Sequence, residues 1–206
     1  MNDIPVIIVE GNSTLGIFQD DTNPVYFFWQ KSEIQKAFAF VEAGNYLHSL
    51  TIICEDAKEV RKKLFSGYKK IIAAGGCIYN NKKEILMILR HGVWDLPKGK
   101  LEKNEKRSKA AVREVREETG VEKVEIVQKI MKTYHTYAAA ENQKMLKITH
   151  WYLMRSYDDN TLIPQHEEGI ETVAWHGYNE LDEKLKNTYG NIRMVIDAAL
   201  VMMHPL

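Results

Sequence analysis

The strongest chemical signal in the sequence is a group of acidic residues near the middle of the chain. Glu114, Glu117 and Glu118 fall within five residues, directly after Arg113. On an α-helix these spacings place the three carboxylates on one face, where they repel one another. Neighbouring basic side chains would balance this charge on a solvated face, and a hard cation such as Mg²⁺ would take the same oxygens as ligands. This turn alone therefore leaves two interpretations, a solvated face or a cation site.

The residues around the acidic turn favour the cation site. The segment 99–121 reads GKLEKNEKRSKAAVREVREETGV. It resembles the Nudix box, G-x5-E-x7-R-E-U-x-E-E-x-G-U with U apolar, and it matches every specified position. The flanking stretches AAGG and WDLPKG extend the resemblance to about residues 70–200. On these residues the chain is identified as a member of the Nudix hydrolase superfamily.

The resemblance implies a reaction and a cofactor. Nudix enzymes hydrolyse a diphosphate that is linked to another moiety, and the implied cofactor is Mg²⁺ or Mn²⁺. Carried over by position, Glu114 and Glu118 ligate the metal, and Glu117 is a ligand or the base that activates water. The carbonyl of Gly99 completes the coordination. These residue types suit the chemistry, because metal ions neutralise phosphate oxygens and a nearby carboxylate can accept the proton of water.

The other box positions have supporting roles in this resemblance. Arg113 is expected to pair with Glu105 or Glu114 and to orient that carboxylate. Val115 is expected to face the core, and Gly120 to end the helix. We therefore predict Glu117, Arg113 and Glu105 as the catalytic group.

Nudix proteins often supply a further carboxylate from a later loop. The stretch PQHEEGIETVAW provides two candidates here, Glu167 and Glu168. We predict Glu168 as an additional metal ligand, with Glu167 or plain surface charge as the alternatives.

Substrate contacts are predicted from residues near the box. Lys98 and Lys100 flank the box glycine and are placed to touch phosphates, although each would serve equally as a solvated loop cation. Tyr137 lies close to a position that is associated with dinucleoside polyphosphate hydrolases, and Trp94 is a candidate for base stacking. Core packing is the ordinary alternative for both aromatic residues.

The stretches LPKGKLE and HWYLMR look like the branch that cleaves dinucleoside polyphosphates or diphosphoinositol phosphates. ADP-ribose, nucleoside triphosphates and nucleotide sugars stay open, because the box sets the chemistry and loops outside it choose the substrate. A catalytically inactive Nudix-fold binding or regulatory protein is the rival interpretation, and the unbroken box argues against it. A scaffold with a charged helix would leave the spacing unexplained.

Composition and charge limit the kinds of binding partner that we expect. The formal net charge is zero, which gives no support to a nucleic-acid partner. No apolar run approaches the roughly 18 residues of a membrane span, and the acidic start does not resemble a secretory signal. Cys54 and Cys77 stand in apolar runs and are expected to be buried thiols of a reducing cytosol. We therefore expect a cytoplasmic enzyme of a small pyrophosphate substrate, with a homodimer as an open expectation.

The predicted fold class is α/β (α+β): a Nudix fold with a mixed β-sheet sandwiched between helices and a small N-terminal α/β extension. Residues 1–68 form the extension, which could serve as a dimerisation element, a lid or a binding module. Residues 69–206 form the Nudix domain. The loop 91–104 leads into the box helix 105–119. The other predicted strands cover 5–9, 24–29, 49–54, 69–79, 84–90, 122–136, 145–155 and 171–177, and the other helices cover 32–44, 55–67, 179–187 and 191–203.

Overall fold

The chain divides into two compact units. The first contains Met1–Lys69 and Tyr137–Lys144, and the second contains Lys70–Thr136 and Met145–Leu206. The segment 137–144 therefore groups with the first unit, and the domain boundary expected between residues 68 and 69 stays a prediction. The computed structural model describes residues 6–11, 25–27, 36, 39, 50–140, 143–157 and 162–203.

The first unit contains a small parallel sheet. Its strands are β1 (Val6–Glu10), β2 (Val25–Phe27) and β3 (Leu50–Cys54), in the order β1-β3-β2. The central strand β3 is buried along its whole length. This explains its unbroken apolar sequence, because a strand that is covered on both faces does not alternate. The helix predicted at 32–44 lies outside the described residues, apart from positions 36 and 39, which are helical.

One described helix, α1 (Ala57–Leu64), follows this sheet. Asp56 caps it, since its Oδ1 accepts hydrogen bonds from the backbone N–H of Lys58 at 2.8 Å and of Glu59 at 2.9 Å. The sequence prediction that Gly67 closes this helix is wrong. The helix ends at Leu64, where the backbone N–H of Phe65 turns back to the carbonyl of Arg61 at 3.1 Å.

A seven-stranded sheet dominates the second unit. Its strands are β4 (Lys69–Tyr79), β5 (Ile85–Arg90), β6 (Val93–Asp95), β7 (Lys98–Lys100), β8 (Val124–Ala138), β9 (Lys144–Ser156) and β10 (Ile170–His176). The main path of the sheet runs β10-β5-β4-β9-β8, with β6 paired to β5 and β7 paired to β4. The stretch 91–104, predicted as a loop, contains the two short strands β6 and β7, so that prediction is wrong at these positions. The Gly/Pro-rich stretch still makes ladder pairs, because β7 lies antiparallel to β4.

Helices cover both faces of this sheet. They are α2 (Arg107–Thr119), α3 (Tyr178–Leu185) and α4 (Gly190–Met203). Side chains of β5 alternate between two apolar clusters. Leu86 and Ile88 pack in the cluster that includes residues of α2, whereas Ile85 and Met87 pack in the cluster that includes residues of α3 and α4. The predicted α+β architecture, a mixed sheet between helices, is therefore confirmed.

The helix α2 carries the box. It begins at Arg107, two residues later than predicted, and Gly120 ends it in the left-handed conformation at φ 76°. Its Val115 side chain is fully buried and faces the core, as predicted. None of the helices in the described ranges is long and apolar enough to cross a membrane. Cys54 and Cys77 are free, buried thiols.

Candidate active site

A single guanidinium organises the acidic residues of α2. Arg113 forms a two-pronged pair with Glu105, from Nε to Oε1 at 3.0 Å and from Nη2 to Oε2 at 2.9 Å. Its Nη1 donates to Glu114 Oε1 and to Glu117 Oε2, both at 2.8 Å. Its Nη2 also donates to the carbonyl of Lys100 at 3.0 Å. The sequence left Glu105 and Glu114 as alternative partners, and Arg113 binds both of them.

These contacts fix the protonation states of the pair. The hydrogen bond to Glu105 is the main reason that the pKa of Arg113 is raised, and the same bond lowers the pKa of Glu105. Both groups therefore stay charged at neutral pH. Arg113 thus connects α2 to the preceding loop through the carboxylate of Glu105 and to β7 through the carbonyl of Lys100.

Gly99 lies directly against the carboxylate of Glu114. A Cβ at residue 99 would sit 2.0 Å from Glu114 Oε2 and 2.3 Å from Oε1. Only glycine leaves this space, which explains the first fixed position of the box. Burial raises the pKa of Glu114, and the charge of Arg113 opposes that rise. Strand β7 and helix α2 therefore approach each other most closely where Gly99 faces the carboxylate of Glu114.

Glu118 is the most deeply buried carboxylate of the site, with 2% of its surface exposed. Its Oε2 accepts a hydrogen bond from the backbone N–H of Lys98 at 2.9 Å. Burial raises its pKa to about 7, against the opposing charge of Lys98. Within the described ranges no Lys, Arg or His side chain forms a salt bridge with it. A cation at this position would therefore meet a carboxylate that lacks a close ionic partner.

The donor chemistry of the site suits a hard divalent cation. The candidate ligands are carboxylate oxygens and a glycine carbonyl, which are the ligand types that Mg²⁺ and Mn²⁺ prefer. Among the residues that the structure describes, no three acidic, His or Cys side chains already stand together as a metal site. Glu114 and Glu117 instead share the Nη1 of Arg113. The residue types of the site therefore suit a divalent cation, while Glu114 and Glu117 are paired with Arg113 in this structure.

The two predicted lysines differ in their surroundings. The ammonium of Lys98 is paired with Asp95, and both side chains are nearly buried, at 13% and 5% exposure. Lys100 is exposed at the end of β7, and its carbonyl holds Arg113. Asp95 was missed by the sequence analysis. Its signal lies in the sequence, since it stands three residues before Lys98 within WDLPKG.

Lys147 is a second residue that the sequence analysis missed. Its pKa is lowered to about 8, mainly by burial and also by the charges of Lys98 and Arg90, whereas the charges of Asp95 and Glu118 oppose this shift. These charged groups therefore lie in one neighbourhood although they come from β5, β6, β7, α2 and β9. An isolated lysine inside a strand gives no local signal, so only the tertiary structure shows this grouping.

Glu168 lies in a short 3-10 turn, His166–Glu168, directly before β10. Its Oε2 accepts a hydrogen bond from Nη2 of Arg90, the last residue of β5, at 3.0 Å. Glu167 is exposed in the same turn. The predicted ligand therefore has a cationic partner that the sequence analysis did not name.

Trp94 and Tyr137 are the two aromatic residues that were predicted to contact the substrate. Trp94 packs against the cluster on the face of α3 and α4, in edge-to-face contact with His176 at 4.8 Å between ring centres. The amine of Lys184 lies 4.8 Å from the centre of the same indole ring. Tyr137 lies near the end of β8, in the segment that groups with the first unit, and is half-buried.

An open groove of about 640 Å³ runs along the exposed side of α2. Glu117 and Arg113 are among its lining residues, and the lining contains both charged and apolar side chains. Its other lining residues are Glu105, Ser108, Lys109, Val112, Arg116 and Ile126.

A mixed sheet between helices, with Gly99 of β7 facing a helix that carries several glutamates, is the arrangement of a Nudix-type pyrophosphohydrolase. The family model for the NUDIX domain matches residues 69–197, which is more than half of the chain. The chain therefore belongs to the NUDIX family. No curated protein sequence matches it.

Several solved structures share the fold. A C. elegans Ap4A hydrolase binary complex is 21% identical, with a TM-score of 0.52 over 65% of this chain and 97% of that one. The NUDIX domain of Shewanella oneidensis NrtR, complexed with ADP ribose, is 15% identical, with a TM-score of 0.52 over 68% of this chain and 92% of that one. A NUDIX hydrolase from Nitrosomonas europaea is 20% identical, with a TM-score of 0.51 over 67% and 75% of the two chains. At these identities the likeness is one of fold.

Proposed function

We propose that this protein is a divalent-metal-dependent hydrolase of a nucleoside-diphosphate-linked substrate, with a dinucleoside polyphosphate as the first candidate. The observation that carries the proposal is the arrangement around Arg113, which holds Glu105, Glu114 and Glu117 together beside Gly99. A solvated face would not need one guanidinium to bind three carboxylates and a strand carbonyl. Residues 69–206 would form the hydrolase domain, and 1–68 an accessory unit.

Glu114 and Glu118, with the carbonyl of Gly99, would hold Mg²⁺ or Mn²⁺, and Glu117 would be a further ligand or the base that activates water. When bound, such an ion neutralises phosphate oxygens and lowers the pKa of bound water. Glu117 is the most accessible of the three side chains, with 47% of it exposed. Rotation about its side-chain bonds is enough to move its carboxylate away from Arg113.

The chain's own residues then divide the work. As the base, Glu117 would accept the proton of the attacking water, because its side chain is exposed. Arg113 and Glu105 would orient the other carboxylates. Lys98 and Lys100, which flank Gly99, would meet the phosphates, and Lys98 would first exchange its partner Asp95.

The order of substrate candidates follows sequence and fold together. The stretches LPKGKLE and HWYLMR look like the dinucleoside polyphosphate branch. The likeness in fold to the C. elegans Ap4A hydrolase agrees with this choice. ADP-ribose is the second candidate, since the NrtR domain of the same fold is complexed with ADP ribose. A cytoplasmic location and a homodimer stay predictions.

A substrate panel tests the proposal. It should contain diadenosine polyphosphates, diphosphoinositol phosphates, ADP-ribose, NADH, nucleotide sugars and nucleoside triphosphates, each with Mg²⁺, with Mn²⁺ and with a chelator. We expect cleavage within a diphosphate bond, identified from the products, and loss of turnover in the chelator. Undiminished hydrolysis without metal would refute the mechanism. If no compound is cleaved, a binding protein of the Nudix fold becomes the better interpretation.

A further inference from the structure

Arg90 stands on the same face of the sheet as the box helix. It ends β5, and side chains of a strand alternate between the two faces. Leu86 and Ile88, four and two residues earlier, both pack in the apolar cluster beneath α2. Arg90 continues this row where the apolar cluster ends. Its guanidinium therefore extends from the face of the sheet on which α2 packs, and α2 contains Glu118.

Arg90 forms an ion pair with Glu168. We expect this pair to orient the guanidinium of Arg90 more than to stabilise the fold. The Nη2 to Oε2 distance is 3.0 Å, and the two side chains are 28% and 53% exposed. Ion pairs at such exposure contribute little to the free energy of unfolding. A partly exposed guanidinium with one carboxylate partner keeps other N–H groups for a further acceptor, because it carries five donors.

The turn after Arg90 and the turn that bears Glu168 are joined at several further points. A Cβ at Gly169 would meet the imidazole of His91 at 2.3 Å, and Gly169 has a φ of 75°. The backbone N–H of Gly92 donates to Glu171 Oε1 at 2.9 Å. These contacts hold the two turns in register, so that Glu168 is presented to Arg90 by a defined backbone.

The electrostatics of neighbouring groups support this placement. The charge of Arg90 is among the influences that lower the pKa of buried Glu118, and it also lowers the pKa of Lys147. Arg90 is therefore close enough to act on the carboxylate that we propose as a metal ligand. A phosphate held beside Glu118 would lie within the field of the same guanidinium.

We propose that Arg90 binds a phosphate group of the substrate and that Glu168 is a positioning residue that acts through Arg90, in place of the direct metal ligation implied by the resemblance. The inference rests on the proposed hydrolysis of a diphosphate. Guanidinium forks match phosphate oxygens in geometry and charge, and a carboxylate behind the fork restricts its orientation.

Four variants separate the two roles of Glu168: Glu168→Gln, Arg90→Gln, Arg90→Lys and the double variant Arg90→Gln/Glu168→Gln. The measurements are KM and kcat with the best substrate of the panel, the Kd of Mn²⁺ by electron paramagnetic resonance, and the Kd of imidodiphosphate with Mg²⁺ by calorimetry. Glu171→Gln is the matched control, because it keeps the acceptor for Gly92 and leaves Arg90 untouched.

We expect Glu168→Gln and Arg90→Gln each to raise KM and the imidodiphosphate Kd by roughly tenfold, the loss of one good charged contact. The value of kcat and the Kd of Mn²⁺ should change less than about twofold, since the metal ligands remain. The double variant should be no weaker than Arg90→Gln, because Glu168 acts only through Arg90. Arg90→Lys should recover part of the loss.

Other results would overturn the inference. A tenfold weaker Mn²⁺ affinity or a lower kcat at unchanged KM in Glu168→Gln would make Glu168 a ligand or a base. Additive losses in the double variant would separate it from Arg90. If the unaltered protein cleaves nothing, the proposed function fails, and imidodiphosphate binding still decides the role of Arg90. Absence of that binding, or an equal loss in Glu171→Gln, would also reject the inference.

Discussion

At the scale of single residues, the surroundings of Glu117 suit the role of base that we propose for it. It is the most exposed carboxylate of the box trio, and it is held by the same nitrogen of Arg113 that holds Glu114. Its exposure suits proton transfer to and from water, whereas buried Glu118 suits charge compensation. The three glutamates therefore differ in their environments: Glu117 is exposed, Glu114 is largely buried and Glu118 is almost fully buried.

The first prediction concerns Glu117→Gln. We expect kcat to fall by about 10²–10⁴-fold, the range for the loss of a general base, because the amide cannot accept the proton. The fold should remain, since the amide oxygen can still accept from Arg113. Steady-state kinetics and circular dichroism measure the two effects. Glu122→Gln, an exposed glutamate just beyond the helix, is the control, and near-normal turnover in Glu117→Gln would defeat the assigned role.

At the scale of elements, the site depends on the close approach of β7 to α2. The second prediction is that Gly99→Ala keeps its fold and loses about 10²-fold in turnover, the cost of a displaced catalytic group. The new methyl group would meet the flexible end of Glu114, which can move away and leave its place at the site. Thermal unfolding and kcat are compared with Gly190→Ala, where a Cβ meets nothing within 4 Å. A stable, fully active Gly99→Ala would refute this reading.

The third prediction concerns α1 of the first unit. Replacing Asp56 by Ala removes the acceptor of two backbone N–H groups at the start of this helix. We expect a loss of about 1 kcal/mol in the local stability of the helix. Hydrogen exchange of the α1 amides should become roughly five times faster. Glu55→Ala, at an exposed neighbouring position, should leave exchange unchanged, and equal acceleration in both variants would contradict the cap.

At the scale of the whole molecule, we expect a buried histidine to make the free energy of unfolding depend on pH. His150 is 3% exposed, and burial lowers its pKa to about 4, with the charges of Arg107, Lys132 and Lys129 adding to the effect. In the unfolded chain the group titrates near 6.5. The unfolded state therefore binds more protons between these values, so stability is full above about pH 6.5 and falls as the pH drops toward 4.

The fourth prediction follows from this sign. Up to about 3 kcal/mol of stability should be lost through His150 across that window. His150→Gln removes the titration, so the difference in melting temperature between pH 7.5 and pH 5 should be smaller than in the unaltered protein. Scanning calorimetry at both pH values provides the measurement. An equal pH dependence in the two proteins would show that His150 does not bind the proton.

Much of the fold followed from local patterns. The run from Lys69 to Tyr79 is a strand with the predicted bounds, and Gly120 ends the box helix in the predicted conformation. The misses have local causes as well. Gly and Pro in WDLPKG suggested a loop, yet pairing with β4 makes Lys98–Lys100 a strand. Gly67 suggested the end of α1, yet that helix closes earlier with its own backbone hydrogen bonds.

The sequence by itself determined the family, the box and the alternating apolar faces, because these are properties of neighbouring residues on one helix or strand. Only the tertiary structure decided the pairing of Arg90 with Glu168, which are 78 positions apart. It also grouped Lys147 with Glu118 and placed Trp94 against the opposite face of the sheet. Such contacts depend on which strands pair and in what register, and the free energy that selects the register comes from the whole core.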